Sequence, residues 1–167
     1  IKGREALQLP EEPFARADMY DGTDNMLMYW HLPNIQAFHS IVPVSIMEFY
    51  PSVGVTRDVG SRPEVEFYAL RPLLSVPWPF IDKDKDDQNP MPGYELYGQQ
   101  LGFNLYENTN YLPMGFTYDA YIDRAQFEEV AEKKRGNLLL KAILLEPDAI
   151  FRNEDILTRL DTEDGLL

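Results

Sequence analysis

The chain has 167 residues, 44% of them hydrophobic and 13% aromatic, with ten Tyr and nine Phe; that suits one packed domain and is too short for two. Its net charge of −13 repels nucleic acid and anionic lipid headgroups, which excludes nucleic acid as a partner. The absence of cysteine removes disulfides, thiolate metal sites and Cys nucleophiles together.

No apolar run approaches the roughly 18 residues that span a bilayer, and the chain opens without Met or a signal-like apolar segment. As it stands, it reads as a soluble piece of something longer. Residues 1–13 are polar, carry Pro10 and Pro13, and read as a lead-in or linker. Residues 14–152 read as the folded domain, and residues 153–167 as an acidic lead-out.

Within the domain, Phe14 to Tyr20 alternates loosely and predicts a first strand, ended by the turn pair Asp21-Gly22. Asn25 is placed to cap a short helical turn from Met26 to Leu32, broken by Pro33-Asn34, with Met28 and Trp30 as core. Ile35 to Ile41 suits a short strand. Pro43 stands where a first helical residue belongs, and Ile46, Phe49, Tyr50 and Val53 follow the i, i+3, i+4, i+7 rule; Pro51 is expected to end that helix before Gly54. Pro63 predicts another start, with Phe67, Leu70 and Leu74 on one stripe and Pro72 kinking or closing it.

Val76 to Ile81 carries Pro77 and Pro79 two residues apart, so both missing N–H groups face one side, which predicts an edge strand paired through the other. Asp82, Asp84 and Asp86 have the spacing that opens a calcium loop. Asp87 then stands where that loop needs Gly, and Gly93 where it needs Glu, which favours a solvated turn. Tyr94 to Tyr97 and Phe103 to Glu107 flank GQQLG and predict a hairpin; a further strand is expected from Leu112 to Tyr121. Asp123 and Gln126 form a capping-box variant opening a helix through Phe127, Val130 and Ala131, stopped by Lys133, Lys134, Arg135 and Gly136. Asn137 is expected to cap another helix, from Leu138 to Leu145, closed by Pro147. Strands and helices alternate without a regular βαβ rhythm, so the fold class is α+β, a mixed sheet with several short helices against it.

Catalytic chemistry is thinly represented. His31 and His39 lack an HxxxH or HExxH setting, and Ser40 beside His39 points to the opposite face of a strand, so neither a metal site nor a nucleophile and base is indicated. A histidine bonded under the Pro43 helix is the plainer reading. Paired carboxylates for glycoside hydrolysis would need two acids converging about 5 to 10 Å apart in a cleft. No cofactor and no catalytic residue is assigned. Arg57 and Arg62, with Arg71 one segment on, concentrate guanidinium groups in an acidic chain, and such forks bind phosphate or carboxylate. The alternative is structural, with Arg57 paired to Asp58 or Glu64 and Arg62 on a carbonyl. The aromatic residues, Trp30, Trp78, Tyr94 and Tyr106 among them, suit core and cross-strand pairs better than sugar stacking.

The runs NIQAFHSIVPVSIMEFY, GVTRDVGSRPEVEFYALRPLLSV, PMPGYELYGQQLGFNLYENTNYLPMGFTYD and NLLLKAILLE together resemble the extracytoplasmic part of the YfhO family, multi-pass bacterial membrane proteins, over roughly Ala15 to Glu146. VPWPF departs from the family pattern, which has a β-branched or Lys-Tyr type of strand after LLSV. The resemblance implies a cell-membrane protein similar to GT-C glycosyltransferases, which use a polyprenyl-phosphate-linked sugar, here acting on lipoteichoic acid or another cell-envelope polymer. It further implies that the catalytic acid lies in a loop preceding this chain. The expected partners are the transmembrane part of the same polypeptide and a phosphate-rich glycopolymer acceptor. Arg57, Arg62 and Arg71 are then the candidate anion contacts, with Asn34, Gln36 and His39 as polar neighbours. The competing expectation is a non-catalytic structural or partner-docking module, which predicts that the arginines are consumed internally and that no concave polar surface exists.

Overall fold

The computed structural model describes residues 4–11, 13–20, 22–87 and 91–161. In chain order its elements are a 3-10 turn (Arg4–Ala6), β1 (Ala17–Tyr20), α1 (Met26–Tyr29), β2 (Ala37–Phe38), α2 (Val44–Ser52), β3 (Gly60–Ser61), α3 (Leu70–Leu73), β4 (Trp78–Asp82), β5 (Tyr94–Gln100), β6 (Phe103–Asn108), β7 (Ala120–Ile122), α4 (Arg124–Glu129), α5 (Glu132–Leu139), β8 (Ile143–Leu144), α6 (Pro147–Asn153) and β9 (Thr158–Arg159). The fold is α+β. The main sheet is mixed, in the order β1-β4-β6-β5, with β1 parallel to β4 and the other neighbours antiparallel. Two smaller sheets accompany it, the β2-β3 ribbon and a parallel β8-β7-β9 sheet.

Both faces of the main sheet are covered, and the period-two alternation of strand side chains sorts what lies on each. Ala17, Met19, Trp78, Phe80 and Leu105 meet Leu7, Leu27 and Trp30 on one side. Tyr20, Ile81 and Tyr106 meet Met91 on the other. A second core, built from Tyr50, Val53, Val55, Phe67, Leu70, Ile122, Phe127, Leu138 and Ala142, joins α2 to α5 and the β8-β7-β9 sheet. Neighbours on α3 serve the two regions: Leu70 enters the second core, whereas Arg71 turns under the main sheet to Asp18.

Several expectations hold. The 94–107 hairpin forms, tightened to a Leu101-Gly102 turn with both residues at positive φ, the conformation that a two-residue hairpin loop requires. The Asp123–Gln126 capping box is complete in both directions. Helix α2 sends Ile46, Phe49, Tyr50 and Val53 inward, with Pro51 in its last turn and Gly54 beyond at φ +84°.

Other expectations are corrected. Strand β4 is interior, paired on both sides, because a proline loses a donor and keeps its acceptor. Pro77 O accepts the Asn108 N–H at 2.8 Å on the β6 side, and the β6 register begins at Phe80, past the second proline. The helix expected from Pro63 is deferred to Leu70, because the carbonyls of Pro63, Glu64 and Phe67 are held by the Arg71 guanidinium. Leu112 to Asp119 is not strand; Pro113 and Gly115, at φ +91°, interrupt it. Lys133 to Gly136 does not stop a helix but lies within α5, and Asn137 follows inside the same helix. Gly136 packs against α3, where a Cβ would stand 3.4 Å from both Ala69 Cβ and Leu70 Cδ2. Pro147 opens α6 instead of closing a helix, and the segment expected as lead-out contributes β9. Asn25 precedes α1 in the left-handed region and makes no cap; its amide pairs with both backbone groups of Phe38.

Candidate functional site

The C-terminal end of β1, the Gly22–Asn25 turn, Gln36 and the Arg62–Val65 segment enclose a cleft on the open side of β1. Two adjoining recesses share Met19, Gly22, Gln36 and Arg62. The larger, about 370 Å³, also meets Tyr20, Pro63, Glu64 and Val65. The smaller is water-sized, about 20 Å³, and reaches Thr23, Asp24 and Asn25. Gly22 packs closely here, since a Cβ would fall on the Met19 side chain, 2.1 Å from its Sδ, and that methionine would have to shift.

Beneath this cleft lies the Asp18–Arg71 ion pair, both side chains wholly buried. A charge withdrawn from water needs full compensation, and each partner has it. Asp18 Oδ2 accepts from Arg71 Nε at 2.8 Å, and Oδ1 accepts from Gln36 Nε2 at 2.5 Å and Met19 N–H at 2.9 Å. The remaining Arg71 nitrogens donate to the carbonyls of Pro63, Glu64 and Phe67. The guanidinium also lies 4.8 Å from the Tyr20 ring centroid, a cation–π contact. Burial works hardest against the Arg71 charge, but the Asp18 carboxylate, its hydrogen bond and the Tyr20 and Tyr94 hydroxyls together outweigh it and the pKa is raised. Burial pushes the Tyr20 phenol well above its ordinary value and Tyr94 up to about 12. Their hydroxyls sit 3.3 Å apart. This arrangement fixes geometry; its carboxylate is enclosed and its phenols are held protonated, so it offers no base to a substrate.

The six residues singled out from the sequence separate into two groups. Gln36 and Arg62 both line the cleft, the Gln36 amide donating to Asp18 beneath it. Arg62 is exposed and ion-paired to Asp24, not to a carbonyl. The other four are engaged elsewhere. Arg71 has no exposed surface. Arg57 donates to Gly60 O at 3.1 Å and His39 O at 3.2 Å, bracing the β2-β3 ribbon and leaving Asp58 and Glu64 unused by it. The His39 N–H donates to Val59 O, while its Nδ1 and the Arg57 Nε are buried without a partner. Asn34 lies beside Ala17 in an isolated bridge and donates to Leu32 O.

Sequence reasoning did not single out Asp18, Tyr20 or Tyr94. A signal for Asp18 existed: an aspartate inside an otherwise apolar strand is disfavoured unless paired, and Arg71 is the charged residue inside the Leu70–Leu74 apolar run. In the acidic loop, Asp86 receives Asn104 Nδ2 and the Tyr106 hydroxyl, which ties the loop to β6. Among the described residues no group of three or more His, Asp or Glu could hold a metal ion.

The family model described as "Bacterial membrane protein YfhO" matches residues 2–164. No curated protein and no solved structure matches the chain. Among the described residues, no helix is long and apolar enough to cross a membrane. With the match covering nearly the whole sequence, the chain belongs to the YfhO family of bacterial membrane proteins.

Proposed function

We propose that this chain is a non-catalytic, extracytoplasmic domain of a YfhO-family membrane protein, and that its cleft helps position a phosphate-bearing glycopolymer, such as lipoteichoic acid, for a polyprenyl-phosphate-sugar-dependent glycosyltransferase. The observation that supports it is the division among the three clustered arginines: of these, Arg62 lines the cleft, together with Gln36, and is exposed, whereas Arg57 and Arg71 are held by internal partners. Its present partner is the exposed Asp24 carboxylate, and an exposed ion pair is worth so little that a phosphate can replace one half of it. A guanidinium fork then offers bidentate contact to the phosphate. The test is acceptor glycosylation by the parent membrane protein carrying Arg62→Ala, with Arg57→Ala as the comparison. The reading expects a marked loss with Arg62→Ala at unchanged protein abundance; full activity with a folded Arg62→Ala protein would remove it.

A second reading, a structural or partner-docking module, is favoured by the internal use of Arg57 and Arg71. It expects neither variant to alter glycosylation except through loss of folded protein.

A further inference from the structure

From Asn25 to Met47 the chain carries no Asp, Glu, Lys or Arg, although 26% of the protein is charged; Asp24 and Glu48 bracket the stretch. The fold ties two parts of this stretch together. Asn25 holds Phe38 by two hydrogen bonds of 2.9 Å, its amide donating to Phe38 O and its carbonyl accepting from Phe38 N–H, so the start of α1 lies beside β2. Exposed on it are Met28, Tyr29, Phe38, Ile41, Val44 and Met47, with Ile41 91% exposed. Helix α2 is apolar on both sides here: Ile46, Phe49 and Tyr50 pack into the second core, while Val44 and Met47, one turn apart, face out.

We propose that this face seats the domain on the surface of the lipid bilayer, with Phe38, Ile41, Val44 and Met47 entering the interfacial region and Tyr29 at headgroup level. The proposal rests on the reading of the chain as a water-facing domain of a membrane protein. Two observations select lipid over a protein partner. The protein's charge of −13 repels anionic headgroups, and this is a long run of sequence without acidic residues, with Asp24, Glu48 and the neighbouring Asp58 at its margin, so approach to a neutral lipid surface is favoured with this face leading. The apolar side chains also project from a loop and a helix start, and Ile41, Val44 and Met47 line none of four recesses among the described residues. Protruding aliphatic groups with an aromatic residue nearby suit a fluid interface. Without Lys or Arg in the stretch, the contact depends on apolar burial and is insensitive to salt.

Because the chain has no cysteine, Ile41→Cys and Leu96→Cys each give a unique attachment point for a polarity-sensitive fluorophore. Leu96 is exposed on β5, at the far end of the main sheet from β1 and the neighbouring Asn34. The chain is tethered by a terminal histidine tag to phosphatidylcholine vesicles containing nickel-chelating lipid and nitroxide-labelled lipid, which supplies the high local concentration of a membrane-linked domain. The expected result is quenching of the label at position 41, none at position 96, no change with added salt, and loss of the position-41 quenching when Val44→Asp and Met47→Asp are added. Both sites are exposed, so far-ultraviolet circular dichroism should show these variants folded. No quenching at position 41, equal quenching at both positions, or quenching that needs phosphatidylglycerol and disappears with salt overturns the proposal. Labelling of Leu96→Cys in the parent protein by a membrane-impermeant maleimide on intact cells separately reports the side of the membrane. Loss of the bilayer contact can therefore be told apart from failure of the extracytoplasmic reading.

Discussion

Two aspartate–arginine pairs, Asp18–Arg71 and Asp24–Arg62, join the same two stretches of chain and differ in nearly everything else. The Asp18 and Arg71 side chains are 0% exposed, and other hydrogen bonds occupy both; those of Arg62 and Asp24 are 56% and 41% exposed. Removing either half of the first leaves a buried charge without its counter-charge, whereas either half of the second returns to solvent. In this acidic protein the surroundings of a guanidinium, and not the clustering of arginines in sequence, decide whether it is available to a ligand.

The largest effect should come from breaking the buried pair. Arg71→Met strands the Asp18 carboxylate and removes the donors to the Pro63, Glu64 and Phe67 carbonyls, which should lower unfolding stability by about 3–5 kcal/mol in chemical denaturation. Asp18→Leu should cost about as much, and the double variant clearly less than the sum of the two; simple additivity would mean that the pair is not coupled.

An intermediate effect is expected at high pH. Burial holds the Tyr94 phenol up to about 12 and Tyr20 well above its usual value, so the folded form keeps protons that the unfolded chain gives up near pH 10. For such groups the stabilisation is complete below about pH 10 and is lost as pH rises through the folded pKa, on the order of 1–2 kcal/mol for Tyr94. Tyr94→Phe should flatten the fall in stability between about pH 10 and 12, measured by denaturant titration at each pH; an unchanged slope would show that the phenol is not responsible.

The smallest effect belongs to the exposed pair. Arg62→Ala should change unfolding stability by about 0–1 kcal/mol, and the change should shrink further at high salt. A loss comparable with that of Arg71→Met would erase the distinction between the two pairs.

Local chemistry in this chain is legible where the sequence partner is near. The Asp123–Gln126 cap, the 94–107 hairpin and the inward stripe of α2 all follow from spacings within one element. What escaped depends on residues far apart in sequence. Arg71 occupies the Pro63, Glu64 and Phe67 carbonyls where Pro63 announces a helix, and the segment runs as separate turns, a tertiary demand that overrides local propensity. Arg135, expected to stop α4 from within, instead reaches back from α5 to the carbonyls of Glu128 and Val130 and across to Ser52. Gly136 serves a helix contact, not a helix end. For the site, the concentration of arginine was visible but its division was not, since that depends on Asp18 and Asp24 arriving from another segment.

The most direct test of Arg62 as the available anion contact is a titration of the chain with short glycerol-phosphate oligomers, followed by amide chemical shifts at two salt concentrations, for the unsubstituted protein and for Arg62→Ala. The account predicts shifts centred on residues 22–25, Gln36 and 62–65 that weaken with salt and vanish in Arg62→Ala. Shifts that persist in the variant, shifts centred on Arg57 and His39, or silence at millimolar ligand would contradict it.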